Sequence, residues 1–249
     1  MLAEKPWKIE AVLRLLLTLL VSIFVGSLLC SAVALPGESG WLPVTVDRKF
    51  LSFIIAALSF QGAVLVGLVL FLRECSIGWG EAFGFSKPNT AAALGWGLLG
   101  ICFALPLAFL LAKGSSELLT LIGRMPVQQD TVKALQTARP IGQTFVYAFF
   151  AVLLAPVAEE MMFRGVLYPA IKQGGFPRLA LWGTALLFAA THANLMAFIP
   201  LTFLALVLTA LYEKTENLIA PIVMHVMFNA VNFYIIVAPA DWKPKWFVQ

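Results

Sequence analysis

Long charge-free runs alternate with short polar breaks along the chain. The first run covers roughly residues 11–35 and closes at Pro36-Gly37. The second covers 51–72 and ends at Arg73-Glu74, and the third covers 90–112 and ends at Lys113-Gly114. Each matches the length of about 20 residues that an α-helix needs to cross a bilayer core. Residues 114–140 break the pattern: charges recur, Pro126 interrupts, and Gln128, Gln129 and Gln136 add polarity. This stretch predicts a loop with one or two short amphipathic turns at the membrane surface. A fourth run starts near Ile141, passes through Pro156 and stops at Gly174-Gly175. Proline removes a backbone hydrogen bond and crowds the preceding turn, so a kink or restart is expected at Pro156. Runs at 178–192 and 196–212 follow, then Pro221–Val237 after the polar break Tyr212–Asn217. The pattern predicts an all-α fold: a polytopic membrane helix bundle of about seven transmembrane helices, forming a single domain over 1–249.

Composition agrees with the pattern. Of 249 residues, 61% are hydrophobic and 12% charged, against about 25% charged in an ordinary soluble domain. The chain lacks the polar surface to face water all round, so its main partner is the lipid bilayer. A net charge of +4 is spread thinly and no basic block occurs, which argues against nucleic acid as a partner. Cys30, Cys75 and Cys102 are odd in number and form no C-x-x-C pair, so neither a disulfide framework nor a zinc knuckle is expected. Lys5, Lys8 and Arg14 precede the run Leu15–Leu35, with Ala32-Val33-Ala34 as a conceivable cleavage site. Those 21 uncharged residues exceed the roughly 7–15 of a signal core, so a retained first helix is the expectation. With seven spans and Arg164 set aside, eight basic residues fall on each side, which leaves the orientation undetermined.

Against this background a few polar side chains stand out. Glu159, Glu160 and Arg164 sit together in "APVAEEMMFRGVLYP", and the chain's two histidines, His192 and His225, fall within or at the ends of apolar runs. Ionisable groups in hydrocarbon are costly and mark functional sites by default. Glu160 and Arg164 stand at i and i+4 with the acid first, the favourable order for a helical ion pair. Glu159 has Met162 and Phe163 at those spacings, so its own helix offers it no cation. One carboxylate is then structural and the other free to act as a general base. The competing reading is a purely structural charge cluster locking two helices.

His225 and Asn229 are also one turn apart, as are Phe188 and His192. A His/Asn pair brings two donors to one point, as an oxyanion at a scissile carbonyl needs, although asparagine also joins membrane helices. Asn232, one turn further, fits either role. A carboxylate and an imidazole around a water can deprotonate it for attack on a carbonyl, giving peptide hydrolysis without a covalent enzyme intermediate. A zinc ion held by Glu159, His192 and His225 is the alternative route, although no H-E-x-x-H is present. A non-enzymatic scaffold or immunity protein and a proton-coupled transporter remain open from the residues alone.

Three motifs in order carry a resemblance. "EEMMFRG" fits E-E-x-x-x-R, "FAATH" fits F-x-x-x-H, and "HVMFN" fits H-x-x-x-N, with "LYEKTENLIAPIVMH" leading into the last. The chain thereby resembles the CPBP group: type II CAAX prenyl endopeptidases and their bacterial relatives, also called Abi proteins. The resemblance covers about 145–235, as a catalytic core within the single membrane domain. It implies a helical bundle enclosing a membrane-embedded active-site cavity, in which Glu159 and His192 activate water and His225 and Asn229 form the oxyanion hole. Glu160, Arg164 and Phe188 would support that site. The group has been described both as glutamate-type and as metal-dependent peptidases, so the expected cofactor is none, with zinc as the alternative. The implied partner is a membrane-associated or lipidated peptide or protein. Eukaryotic members cut the last three residues from prenylated proteins, while bacterial ones are associated with bacteriocin maturation, self-immunity, regulated proteolysis or scaffolding. The compact chain resembles the bacterial kind, implying a multi-pass protein of a bacterial plasma membrane.

Overall fold

The structure is a computed structural model that describes residues 4–34, 47–127 and 141–238, with Val132 and Leu135 between them. Helix α1 spans Ile9–Ala34, α2 Arg48–Glu74, α3 Trp79–Phe83 and α4 Thr90–Leu121. Helix α5 spans Ile141–Gln173, α6 Pro177–Thr191, α7 Leu195–Thr215 and α8 Ile219–Val237. There is no strand among the described residues.

Among the described residues, six helices (α1, α2, α4, α5, α7 and α8) are long and apolar enough to cross a membrane. The run 178–192, expected to be a further span, forms α6 with only 15 residues. At about 1.5 Å per residue α6 rises about 22 Å, short of the roughly 30 Å hydrocarbon core. The chain is an integral, multi-pass membrane protein of all-α class. Its outer surface carries the large apolar side chains a lipid-facing belt requires: Leu13, Leu17, Leu20 and Phe24 on α1, Leu99 and Phe103 on α4, and Phe145 and Leu153 on α5 are all exposed.

Two expectations about helix ends change. Helix α4 does not stop at Lys113-Gly114 but continues to Leu121. Ser115 and Leu119, one turn apart, are both buried, so packing outweighs the weak local stop signal. The surface turns expected further on fall outside the described residues, apart from Val132 and Leu135. Helix α5 neither restarts nor breaks at Pro156. It stays continuous but contains two π-helical turns, Phe149–Leu154 before the proline and Met161–Leu167 after Glu160. A π-turn shifts the hydrogen-bonding register by one residue, which lets the helix pass a residue that has no N–H to donate.

Helix α4 packs against both α7 and α8, α6 packs against α7, and α1 packs along α2. The break between α7 and α8 is tightly pinned. Glu216 takes a left-handed conformation and Asn217 is fully buried, its Oδ1 accepting from Ile219 N at 3.0 Å. Leu218 N donates to Phe83 O at 3.0 Å, Asn89 Nδ2 donates to Thr215 O at 2.7 Å, and Lys87 pairs with Glu216. These bonds fix the rotation of α8, and with it the direction in which His225 points.

The segment before α1 acts as a strap. Lys5 Nζ donates to Ala82 O at 2.8 Å, Lys8 Nζ to Glu74 O at 2.9 Å, and Trp7 Nε1 to Gly165 O at 3.1 Å. Burial holds the Lys5 ammonium below the usual lysine range. At the start of α2, Asp47 caps the helix by accepting from Phe50 N at 3.0 Å. That bond holds its carboxyl below the usual range.

Candidate active site

The short α-helical stretch Ala155–Glu160, between the two π-turns of α5, carries both glutamates. Gly165 lets this helix approach α3: a Cβ there would lie 2.6 Å from the Phe83 ring, so a larger residue would push the glutamates out of place.

Glu160 and Arg164 form the pair expected from their spacing. Arg164 Nη1 donates to Glu160 Oε1 at 2.9 Å, with side-chain exposures of 2% and 0%. Arg164 also donates to Ala205 O at 2.8 Å and to Thr209 Oγ1 at 3.4 Å, and it lies 4.9 Å over the Phe188 ring. Its guanidinium is thereby anchored to α7 as well as to its own helix. On the other side, His225 Nδ1 stands 2.8 Å from the same Glu160 oxygen. A carboxylate already paired with arginine accepts rather than donates, so Nδ1 carries the proton. Glu160 thus joins α5 to α8 and, through Arg164, to α7, while its Oε2 is buried with no hydrogen-bond partner among the described residues.

Glu159 is placed differently. Its side chain is 12% exposed, and its Oε2 lies 3.8 Å from His225 Nε2, beyond hydrogen-bonding distance. It lines a cavity of about 1170 Å³ whose wall also includes Gly26, Phe53, Gln61, Arg124 and His192. His192 Nδ1 stands 2.9 Å from Phe188 O. A carbonyl only accepts, so Nδ1 is again the protonated nitrogen and Nε2 keeps a free lone pair. Phe188 is fully buried, with its ring centroid 5.1 Å from His192 and 5.7 Å from His225. It stands 5.3 Å edge-on from Phe163 and forms the apolar wall that spaces the two imidazoles.

The structure therefore gathers Glu159, Glu160, Arg164, Phe188 and His225 into one contiguous group, and Glu159 and His192 share one cavity. Asn229 is turned elsewhere. Its Nδ2 donates to Ala151 O, at 2.8 Å, in the first π-turn of α5. One of its two N–H groups is thus committed to the backbone, which leaves the other as its remaining donor. Asn232 likewise donates to Phe228 O at 2.8 Å within its own helix. Among the described residues, no three His, Cys, Asp or Glu side chains gather as metal ligands do. The arrangement of Glu159, His192 and His225 among these residues does not fit a three-ligand zinc site. Sequence reasoning passed over Gln61, the longest polar side chain in the run 51–72, and the ties from Trp7 and Thr209.

This is the site of a helical membrane protein in which a carboxylate and an imidazole face one cavity, backed by a buried Glu–Arg–His brace. Residues 141–231 match the family model of the type II CAAX prenyl endopeptidases, Rce1-like. Over 89 residues the chain is 37% identical to the uncharacterized protein YpbD of Bacillus subtilis (strain 168), covering 34% of this chain and 43% of that protein. Over 141 residues it is 32% identical to the membrane-embedded CAAX protease MroQ of Staphylococcus aureus (strain USA300), covering 54% of each. The chain spans about half the length of the curated relatives it matches. No solved structure matches it.

Proposed function

We propose that the chain is an intramembrane peptidase. It hydrolyses a peptide bond of a membrane-associated or lipidated substrate with a water activated by Glu159 and His192. The observation that carries this reading is that Glu159 and His192 line one cavity, while the neighbouring Glu160 is occupied by Arg164 and His225. Glu159 takes a proton from the water, whose oxygen bonds to the scissile carbonyl carbon. The His192 ring, oriented through Nδ1, offers Nε2 as the second acceptor around that water. The carbonyl oxygen gains the negative charge, and donors aimed at it lower the barrier. His225 Nε2, when it carries a proton, and the uncommitted N–H of Asn229 are the side chains assigned that role. Collapse of the tetrahedral intermediate breaks the C–N bond, and the proton held by Glu159 passes to the leaving amine. Arg164 and Glu160 touch no substrate; they fix the rotation of His225.

The test uses purified protein in proteoliposomes with a pool of N-palmitoylated, internally quenched peptides of randomised sequence. Wild type should cleave members of the pool, and Glu159→Gln should retain the wild-type melting temperature and cleave none. Cleavage retained by a folded Glu159→Gln protein would sink the mechanism. No cleavage by either protein would sink the peptidase reading.

A further inference from the structure

Gln61 lies in the π-turn Leu58–Gly62 of α2. Such turns re-aim side chains and occur mostly at functional sites. This one packs against the segment of α5 that carries Glu159, and Gln61 lines the same cavity as Glu159 and His192. Its Oε1 is buried and has no hydrogen-bond partner among the described residues.

The other neutral polar groups of the wall are turned back onto protein. Ser27 Oγ donates to Phe24 O at 2.7 Å, Ser59 Oγ to Ile55 O at 2.7 Å, and Thr191 Oγ1 to Phe188 O at 2.7 Å. Asn194 uses its Nδ2 on Val127 O at 2.7 Å and its Oδ1 on Ala197 N at 2.9 Å. Among the described residues of this wall, Gln61 Oε1 is the buried side-chain oxygen that makes no hydrogen bond at all. Helix α1 approaches the same π-turn at Gly26, where a Cβ would collide with Ser59 Oγ. Burying an amide oxygen without a partner is unfavourable, and leucine would fill the same volume without that penalty. The chemistry that answers an unpaired primary amide in a peptidase cavity is a peptide main chain, which offers an N–H and a C=O side by side.

We propose that Gln61 binds the substrate's main chain. Its Oε1 accepts an N–H of an extended peptide lying along α2, and its Nε2 donates to a neighbouring carbonyl, which presents the peptide to Glu159. This recognition is independent of side-chain sequence. It rests on the peptidase reading for its ligand and is tested apart from turnover.

The experiment measures binding in nanodiscs, with Glu159→Gln as the non-hydrolysing background. The probe is a dye-labelled, N-palmitoylated alanine–leucine decapeptide, and the palmitoyl dye without a peptide is the control. Adding Gln61→Leu should weaken peptide binding by about tenfold, the upper end for one hydrogen bond. N-methylating the peptide backbone should weaken binding similarly when Gln61 is present and add nothing once it is replaced. The Gln61→Leu melting temperature should be equal to or above that of its parent. Losses that multiply, equal binding by both forms, or no binding above the palmitoyl control would overturn the proposal. A lowered melting temperature would also do so, since the amide would then have a structural partner. If binding follows the expected pattern but wild type does not cleave the randomised pool, the main-chain anchor stands and the peptidase reading fails.

Discussion

Replacing Arg164 with methionine is the sharpest test of the brace. The side chain is 2% exposed and donates to Glu160 Oε1, Ala205 O and Thr209 Oγ1. Methionine keeps much of the stem volume against Phe188 but removes every donor. Glu160, fully buried and with Oε2 already unpartnered, would retain His225 Nδ1 as its one contact. Breaking a buried ion pair from one side costs about 3–5 kcal/mol, because the surviving charge is stranded. Ordinary hydrogen bonds between membrane helices are worth far less, about 0.6 kcal/mol on average and about 1.7 at most. The two origins are therefore separable by size. Glu160→Gln removes the charge but keeps an acceptor for His225, so it should relieve the damage done by Arg164→Met. Unfolding free energies from SDS titration in bicelles should place Arg164→Met about 3–5 kcal/mol below wild type. The double variant should recover more than half of that loss. A loss near 1 kcal/mol, or a double variant worse than Arg164→Met alone, would refute the stranded-charge argument and reduce the brace to a common interhelical contact.

Asn229→Ala removes the bond to Ala151 O and should cost about 0.5–1.5 kcal/mol of stability. If its second N–H also serves the oxyanion, cleavage of the quenched peptide pool should fall by about 10²–10³-fold. A loss of rate no larger than the loss of folded protein would leave Asn229 purely structural. Trp7→Phe keeps the aromatic packing on Phe71, whose ring lies 5.0 Å away, but deletes the 3.1 Å bond to Gly165 O. Amide exchange should then rise within Met161–Leu167 while the protection of α7 is unchanged. Exchange unaltered in that π-turn would show that the strap does not steady it.

The i,i+4 spacing identified the Glu160–Arg164 pair because both partners lie on one helix, where local geometry decides the contact. The same reasoning assigned Asn229 to the oxyanion with His225 but gave no sign of its contact with Ala151 O, a carbonyl in a π-turn. No composition or period announces a π-turn, since Phe149–Leu154 reads as ordinary apolar helix. Gln61 was passed over for the same reason: its meaning depends on facing Glu159 across a cavity formed by helices far apart in the chain. What the structure adds is a common logic for the contacts around α5. Each π-turn of α5 has a carbonyl engaged by a side chain from elsewhere, Ala151 O by Asn229 of α8 and Gly165 O by Trp7 of the strap. The segment Ala155–Glu160 lies between these two clamps. Pro156 prevents a regular α-helical bond at that point, and the flanking π-turns, each held from outside, absorb the irregularity. Glu159 thus occupies a position where the helix is locally irregular yet fixed at both ends, which allows its carboxylate to face the cavity while Glu160, one residue on, stays buried in the brace.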